Sequence, residues 1–288
     1  MPQLAYLAPT DAEEAVRALA ALGARPLSGG TDLLVQLRSG RLRPEAIVDV
    51  KRIPGAVGVR AEAGGFVIGA ATPGIALAEH AALGKAWPGV VEAANLIGST
   101  QVQGRASLAG NLCNASPAAD SVPALIAARA TCLIVGPGGR REARVETIPT
   151  GPGATSLAPG EFIMEFRLPP RPARASDAYL RLIPRTEMDI AVAGAGVSLA
   201  LQADGTVKEA HVALGAVAPT ALLVAEAGAV LEGTTLDDAA LDALEAAARA
   251  ACRPISDKRG TAHYRTRIAG VLARRAALIA YERAGGQR

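Results

Sequence analysis

The chain is predicted to fold as an α+β protein: an α/β N-terminal part, then a smaller α+β part built on an antiparallel sheet. Three features carry that prediction. Short apolar strand-like runs alternate with helix-period runs through the first 168 residues. The stretch "AVAGAGVSLALQADGTVKEAHVALGAV" places two apolar runs around Ala203-Asp204-Gly205, a hairpin signal. Three helical patterns then close the chain.

The elements follow in order. "TDAEEAVRALAALG" reads as a helix with a Thr10-x-x-Glu13 capping box and a stop at Gly23. A short strand leads into Gly29-Gly30, and Thr31 is the expected N-cap of a helix carrying Leu33, Leu34 and Leu37. "AIVDV" (Ala46 to Val50) and "FVIGAAT" (Phe66 to Thr72) read as strands. Thr72-Pro73 begins a helix with proline at its first position. "WPGVVEAANLIG" (Trp87 to Gly98) reads as a buried helix, after which periodicity vanishes from Ser99 to about Ser121. Strands return at "TCLIV" and "EFIMEFRL", with "GPGGRR" as a hairpin turn. The run Pro169 to Ser176 reads as a linker, so the chain is divided near residue 172. Helices are expected at Ala221 to Leu231, from Asp237 to about Cys252, and from Thr261 to about Ala284.

Composition removes several function classes. Aromatic residues make up 3% of the chain and the net charge is +3, so neither stacking platforms nor a basic footprint for nucleic acid is expected. The three cysteines, Cys113, Cys132 and Cys252, are far apart with no Cys-x-x-Cys pair, which argues against a disulfide scaffold, an iron–sulfur cluster or a structural zinc site. The N-terminus lacks a basic start with a long apolar run, and no segment reads as a membrane span. A cytoplasmic protein without integral membrane contact is expected. His80, His211 and His263 are isolated, Cys113 has no neighbouring base, and the C-terminal arginines read as a solvated helix face or a subunit contact.

Two stretches carry chemistry. In "PLSGGTDLLVQLRSG" (Pro26 to Gly40), a strand, a Gly-Gly turn and a helix start would aim several backbone N–H groups at one spot. That is a phosphate cradle, or a tight turn that binds nothing. The aperiodic segment "LIGSTQVQGRASLAGNLCNASPAADSVPAL" (Leu96 to Leu125) is a long loop inside a compact domain, which is usually functional. Its Gly104, Ser107, Gly110, Asn111, Asn114 and Ser116 let backbone approach a ligand and supply hydrogen bonds.

Both stretches resemble the FAD-binding medium subunit of molybdenum hydroxylases. "LSGGTDLLVQLR" is similar to that family's first flavin motif, and "QVQGRASLAGNLCNASPAAD" to its second. The likeness continues through "IVDVKRIPG", "VIGAAT", "LAPGEFIMEFRLP", "RTEMDIAVAGAGVSLAL" and "SDKRGTAHYRTRIAGVLARRAAL", nearly the whole chain in order. The resemblance implies a PCMH-type FAD-binding domain at residues 1–172, with subdomains of about 1–56 and 57–172. A C-terminal domain of the carbon monoxide dehydrogenase flavoprotein type would follow at 173–288. It also implies the cofactor contacts. Leu27, Ser28, Gly29, Gly30, Thr31, Asp32 and Leu33 would line the FAD pyrophosphate, largely through backbone N–H groups. Ile97, Thr100, Gln101, Ser107, Ala109, Gly110 and Asn111 would complete the site from the opposite side. Ser116 and Asp120 would lie near the flavin, Phe162 and Ile163 against the isoalloxazine and adenine surfaces, and Arg181 near the ring's edge.

Three departures stand out: Ala109 for a glycine, Gln103-Gly104 for Arg-Asn, and Arg181 for lysine. The resemblance further implies FAD as the only cofactor of this chain, bound neither by a catalytic residue nor beside a metal. It implies a molybdopterin-binding large subunit and a two-iron two-sulfur small subunit as partners, in a dimer of heterotrimers. Two other readings remain: a self-sufficient flavin reductase or oxidase of the same fold, and a non-catalytic assembly subunit. A nicotinamide-binding Rossmann domain is disfavoured, because Gly194-Ala195-Gly196 has Leu199 at the third glycine position and lies in a strand pattern.

Overall fold

The computed structural model describes residues 4–21 and 23–287. The first sheet is parallel and has the order β1 (Ala5–Leu7), β3 (Ala46–Asp49), β2 (Ala24–Leu27). Each of its connections carries a helix, as parallel pairing demands: α1 (Ala12–Ala20) and α2 (Leu33–Arg38). Helix α1 buries Ala15 and Leu19 in a small core with Val48, Phe162 and Met164.

The N-terminal caps of α1 and α2 differ from the sequence prediction. Asp11, not Thr10, caps α1: its carboxylate accepts from Glu14 N at 2.7 Å, and the Glu14 carboxylate accepts from Thr10 N at 3.2 Å. The helix stops at Ala20 rather than running to Gly23. Asp11→Ala is therefore expected to lower stability by about 1 kcal/mol in denaturant unfolding, with Thr10→Ala nearly silent. Equal effects would show the cap to be shared. At α2, Thr31 is not the N-cap. Asp32 precedes the helix with φ −94° and ψ −46°, already helical, and its side chain makes no capping bond. The chain enters α2 directly from the Gly30 turn, where the Gly30 carbonyl accepts from Leu34 N at 3.0 Å.

The second sheet is antiparallel, with strands β4 (Val59–Glu62), β5 (Gly65–Gly69), β6 (Thr131–Gly136) and β7 (Gly139–Arg144). A small hairpin of β8 (Pro149–Gly151) and β9 (Ala154–Thr155) leads to β10 (Phe162–Leu168), which inserts centrally to give the order β4-β5-β10-β6-β7. Helices α3 (Gly74–Glu79), α4 (Ala81–Ala86) and α5 (Pro88–Asn95) follow β5. Pro73 is the N-cap of α3 rather than its first residue, and Pro88 opens α5. The segment predicted as a loop contains two short helices, α6 (Thr100–Gln103) and α7 (Leu108–Cys113), before α8 (Ser121–Ala127). All seven residues of α8 are buried. Five of them, Val122, Ala124, Leu125, Ile126 and Ala127, anchor the largest core, with Ile68, Leu77, Val90, Ile134 and Phe166.

The third sheet runs β11 (Ala175–Leu182), β12 (Ala193–Leu201), β13 (Val207–Gly215), β14 (Leu222–Leu223), all antiparallel. The end of the predicted linker, Ala175-Ser176, belongs to β11, and the helix predicted from Ala221 is divided into β14 and the short α9 (Ala225–Ala229). Helices α10 (Asp238–Ala251) and α11 (Ala262–Arg283) are capped by Asp237 and Thr261 as their side chains predict, and they bury a third core with Val197, Leu199 and Val212. The second and third sheets meet at α5. Asp177 of β11 accepts from Val90 N at 3.1 Å and pairs with Arg171 at 2.8 Å, while the Arg171 guanidinium lies 3.9 Å from the Trp87 ring centroid. Among the described residues, no helix is long and apolar enough to cross a membrane.

Candidate functional site

The β2–α2 turn and the segment around α7 come together. Ser28 Oγ and Ser107 Oγ are 2.6 Å apart, and Gln36 Nε2 donates to Asn114 Oδ1 at 2.8 Å. Gly29 is pressed so closely on this segment that a Cβ there would stand 1.8 Å from the Arg105 carbonyl oxygen. Gly30 has φ +80°, where an L side chain is strained. One glycine thus joins two stretches of backbone and the other turns the chain.

Ser107 caps α7, its hydroxyl accepting from Gly110 N at 3.2 Å. Gly110 needs no unusual backbone angle, and a Cβ there would meet only Ser107 Oγ at 3.2 Å. Gly30→Ala is accordingly expected to cost about 1–2 kcal/mol of stability and to weaken FAD binding. Gly110→Ala should move both quantities less. Thermal melts and flavin titration of the two variants test this, and a larger effect at Gly110 would contradict it.

The backbone donors give the site its character. Among the described residues, the N–H groups of Gly29, Gly30, Thr31 and Asp32 have no hydrogen-bond partner. Gly29 is a buried residue, and backbone N–H groups in protein interiors are nearly always paired. These donors suit the acceptor oxygens of a diphosphate, so the residues present fit the group. A cation that no motif points to adjoins them: Lys51 Nζ donates to the Ser28 carbonyl at 2.9 Å and to Asp49 Oδ1 at 2.7 Å. Tyr6 Oη donates to Asp49 Oδ2 at 2.6 Å. Burial pushes the Asp49 carboxyl up, but the hydrogen bonds from Lys51 and Tyr6 outweigh it and hold the carboxyl below its ordinary range. The signal available in the sequence was "IVDVKRIPG", whose parallel register sets Asp49 opposite Leu27.

The remaining sequence-derived site residues are distributed as follows. Leu27 is buried at the end of β2, and Thr31 and Leu33 are half-buried beside exposed Asp32. Ile97 is half-buried, whereas Thr100 and Gln101 are exposed on α6. Ala109 is buried within α7. Asn111 Oδ1 is occupied at the start of α8, accepting from Ser121 Oγ at 2.7 Å and Ser121 N at 3.2 Å. Ser116 is exposed and its hydroxyl accepts from Ala118 N. Asp120 and Arg181 form a buried ion pair at 2.5 Å, and Tyr179 Oη donates to Asp120 at 2.9 Å. Burial raises the Asp120 carboxyl to about 6, against the lowering influence of Arg181 and Tyr179. Phe162 and Ile163 are core residues of β10 in two different clusters, 3% and 4% exposed.

Residues 2–171 match the family described as the FAD binding domain in molybdopterin dehydrogenase. This chain belongs to that family. Residues 178–280 match the CO dehydrogenase flavoprotein C-terminal domain, so the two parts of the molybdopterin dehydrogenase flavoprotein occur here in order. The chain is 37% identical over 281 residues to the carbon monoxide dehydrogenase medium chain of Afipia carboxidovorans, covering 97% of each. It is 30% identical over 266 residues to a putative xanthine dehydrogenase FAD-binding subunit of Escherichia coli, covering 92% of this chain and 91% of the relative. The structure of reconstituted CO dehydrogenase from Oligotropha carboxidovorans superposes with a TM-score of 0.93 at 36% identity, covering 98% of this chain and 99% of that one. The family and the fold are those the sequence motifs imply.

Proposed function

We propose that this chain is the FAD-carrying electron-transfer subunit of a cytoplasmic molybdenum hydroxylase. In this reading it stands between the two-iron two-sulfur clusters of a small subunit and an external acceptor. Substrate is oxidised on a molybdopterin-binding large subunit, and the assembly is a dimer of heterotrimers. The observation that carries the reading is the joined pair of segments, residues 28–36 and 105–114, with four backbone donors at the Gly-Gly turn that have no partner among the described residues. Bound FAD would supply one- and two-electron redox chemistry, and the chain's own task is to hold and orient it.

Ser28, Gly29, Gly30, Thr31 and Asp32 would bind the pyrophosphate through backbone N–H groups. Ser107, Ala109, Gly110 and Asn111 would form the facing wall. Among the described residues, no group of three His, Cys, Asp or Glu side chains could hold a metal. The metal chemistry of this reading lies on the partner chains. Nothing in this reading requires a nucleophile or a general base on this chain. Purified full-length protein should bind about one FAD per chain and show a flavin spectrum. With metals excluded, it should not oxidise aromatic heterocycles, aldehydes or carbon monoxide. Substantial oxidation by the lone chain would establish the self-sufficient flavoenzyme instead, and failure to bind FAD would leave an assembly subunit.

A further inference from the structure

We propose that Lys51 is a positioning residue of the flavin site, fixing the Ser28–Gly29 peptide so that the Gly29 N–H stays available to the diphosphate. The inference rests on the FAD reading above. The Ser28 residue is held from two directions. Lys51 Nζ donates to its carbonyl at 2.9 Å, and its hydroxyl lies 2.6 Å from that of Ser107. The next α-carbon, Gly29, is wedged against the Arg105 carbonyl. No cis peptide bond occurs among the described residues. In a planar trans peptide the C=O and the following N–H point in opposite directions. Drawing the Ser28 carbonyl toward Lys51 therefore turns the Gly29 N–H away from Lys51. That N–H, on a buried residue, has no hydrogen-bond partner among the described residues.

Without the ammonium, the peptide could rotate and present its carbonyl oxygen to the anion, replacing attraction by repulsion. Lys51 is itself fixed. Asp49 Oδ1 accepts from both its backbone N, at 3.0 Å, and its Nζ, at 2.7 Å, while Tyr6 holds the other carboxylate oxygen. The Lys51 charge is thus matched locally by Asp49. Its action on the ligand runs through the peptide rather than through long-range attraction. The sequence order explains the geometry: β2 and β3 are parallel neighbours with Leu27 opposite Asp49, so the residues just past each strand meet.

The test uses the full-length chain, with FAD and ADP as probes. Lys51→Met keeps most of the apolar stem and removes the donor. It should weaken FAD and ADP alike by about 10- to 100-fold, the range expected for losing a charge-assisted hydrogen bond. Lys51→Arg should regain most of that affinity. The loss should persist at high salt, where a through-space charge effect would be screened. Tyr6→Phe, which leaves Lys51 in place, should weaken FAD by a smaller factor. FAD affinity within twofold of the unsubstituted chain in Lys51→Met would overturn the proposal. So would a loss that disappears at high salt, or one matched by a fall in the melting temperature of the flavin-free protein. If the unsubstituted chain binds no FAD at all, the underlying functional reading fails first, and the positioning role with it.

Discussion

Gly29→Ala is expected to destabilise the protein by about 3 kcal/mol and to abolish stable flavin binding, the upper part of the range for overpacking a tight contact. The added Cβ would lie 1.8 Å from the Arg105 oxygen, 2.6 Å from its carbon and 3.1 Å from Ala106 N. All three are backbone atoms, so no rotamer change relieves the clash. The β2–α2 turn and residues 105–106 must separate, and the links that depend on their proximity, Ser28 to Ser107 and Gln36 to Asn114, must stretch or break. The effect therefore appears twice, in denaturant unfolding of the flavin-free chain and in its FAD content. Gly30→Ala strains one φ angle and should keep the two segments together. A Gly29→Ala protein with unchanged stability and full flavin content would refute the contact as the reason for glycine.

That contrast shows what the sequence could and could not convey. The Gly29-Gly30 turn was legible because glycine pairs punctuate strand and helix patterns. The α10 and α11 starts were legible because the Asp237 and Thr261 side chains cap them, accepting from the backbone N–H three residues on, Ala240 N and Tyr264 N. The assignment of Gly29 to segment packing was not legible, since it depends on a contact with Arg105, remote in sequence. The same holds for Lys51, which reaches Ser28 only through the β2–β3 register.

Helices α6 and α7 escaped prediction because each is short and lies in a run rich in glycine, serine and asparagine, residues of low helix propensity. β14 escaped because two residues paired to β13 carry no periodicity. At the departure Gln103-Gly104, the Gln103 amide donates to the Asn95 carbonyl and ties α6 back to α5, so this position has a structural partner of its own. The family motifs recovered the fold despite these gaps, because they encode the long-range pairing that local propensity omits.

Arg181→Met is expected to lower stability by about 3–5 kcal/mol near pH 8, because it strands a carboxylate in a dry site. Asp120 sits ahead of α8 and Arg181 on β11, with side chains 9% and 6% exposed, so their pair bonds the second-sheet region to the third sheet. Even with Arg181 present, burial raises the Asp120 carboxyl to about 6, above the value of about 3.9 for an unfolded chain. Between about pH 4 and pH 6 the folded state then holds more protons than the unfolded state. Stability from this group is present below that window and is lost as pH rises through it, by about 3 kcal/mol in total.

Asp49, Glu161 and Asp257 have lowered values and act in the opposite sense at more acidic pH, so the slope must be taken as a difference between variants. Asp120→Asn removes the titrating group, and its stability relative to the unsubstituted chain should change across pH 4–6 and level off above it. Removing Arg181 pushes the remaining carboxyl higher still, so the Arg181→Met deficit should shrink as acid protonates Asp120. Urea unfolding of the flavin-free chain at several pH values reads both effects. A deficit of the same size at pH 5 and pH 8 would mean that Arg181 stabilises the junction by packing, with its charge playing no part.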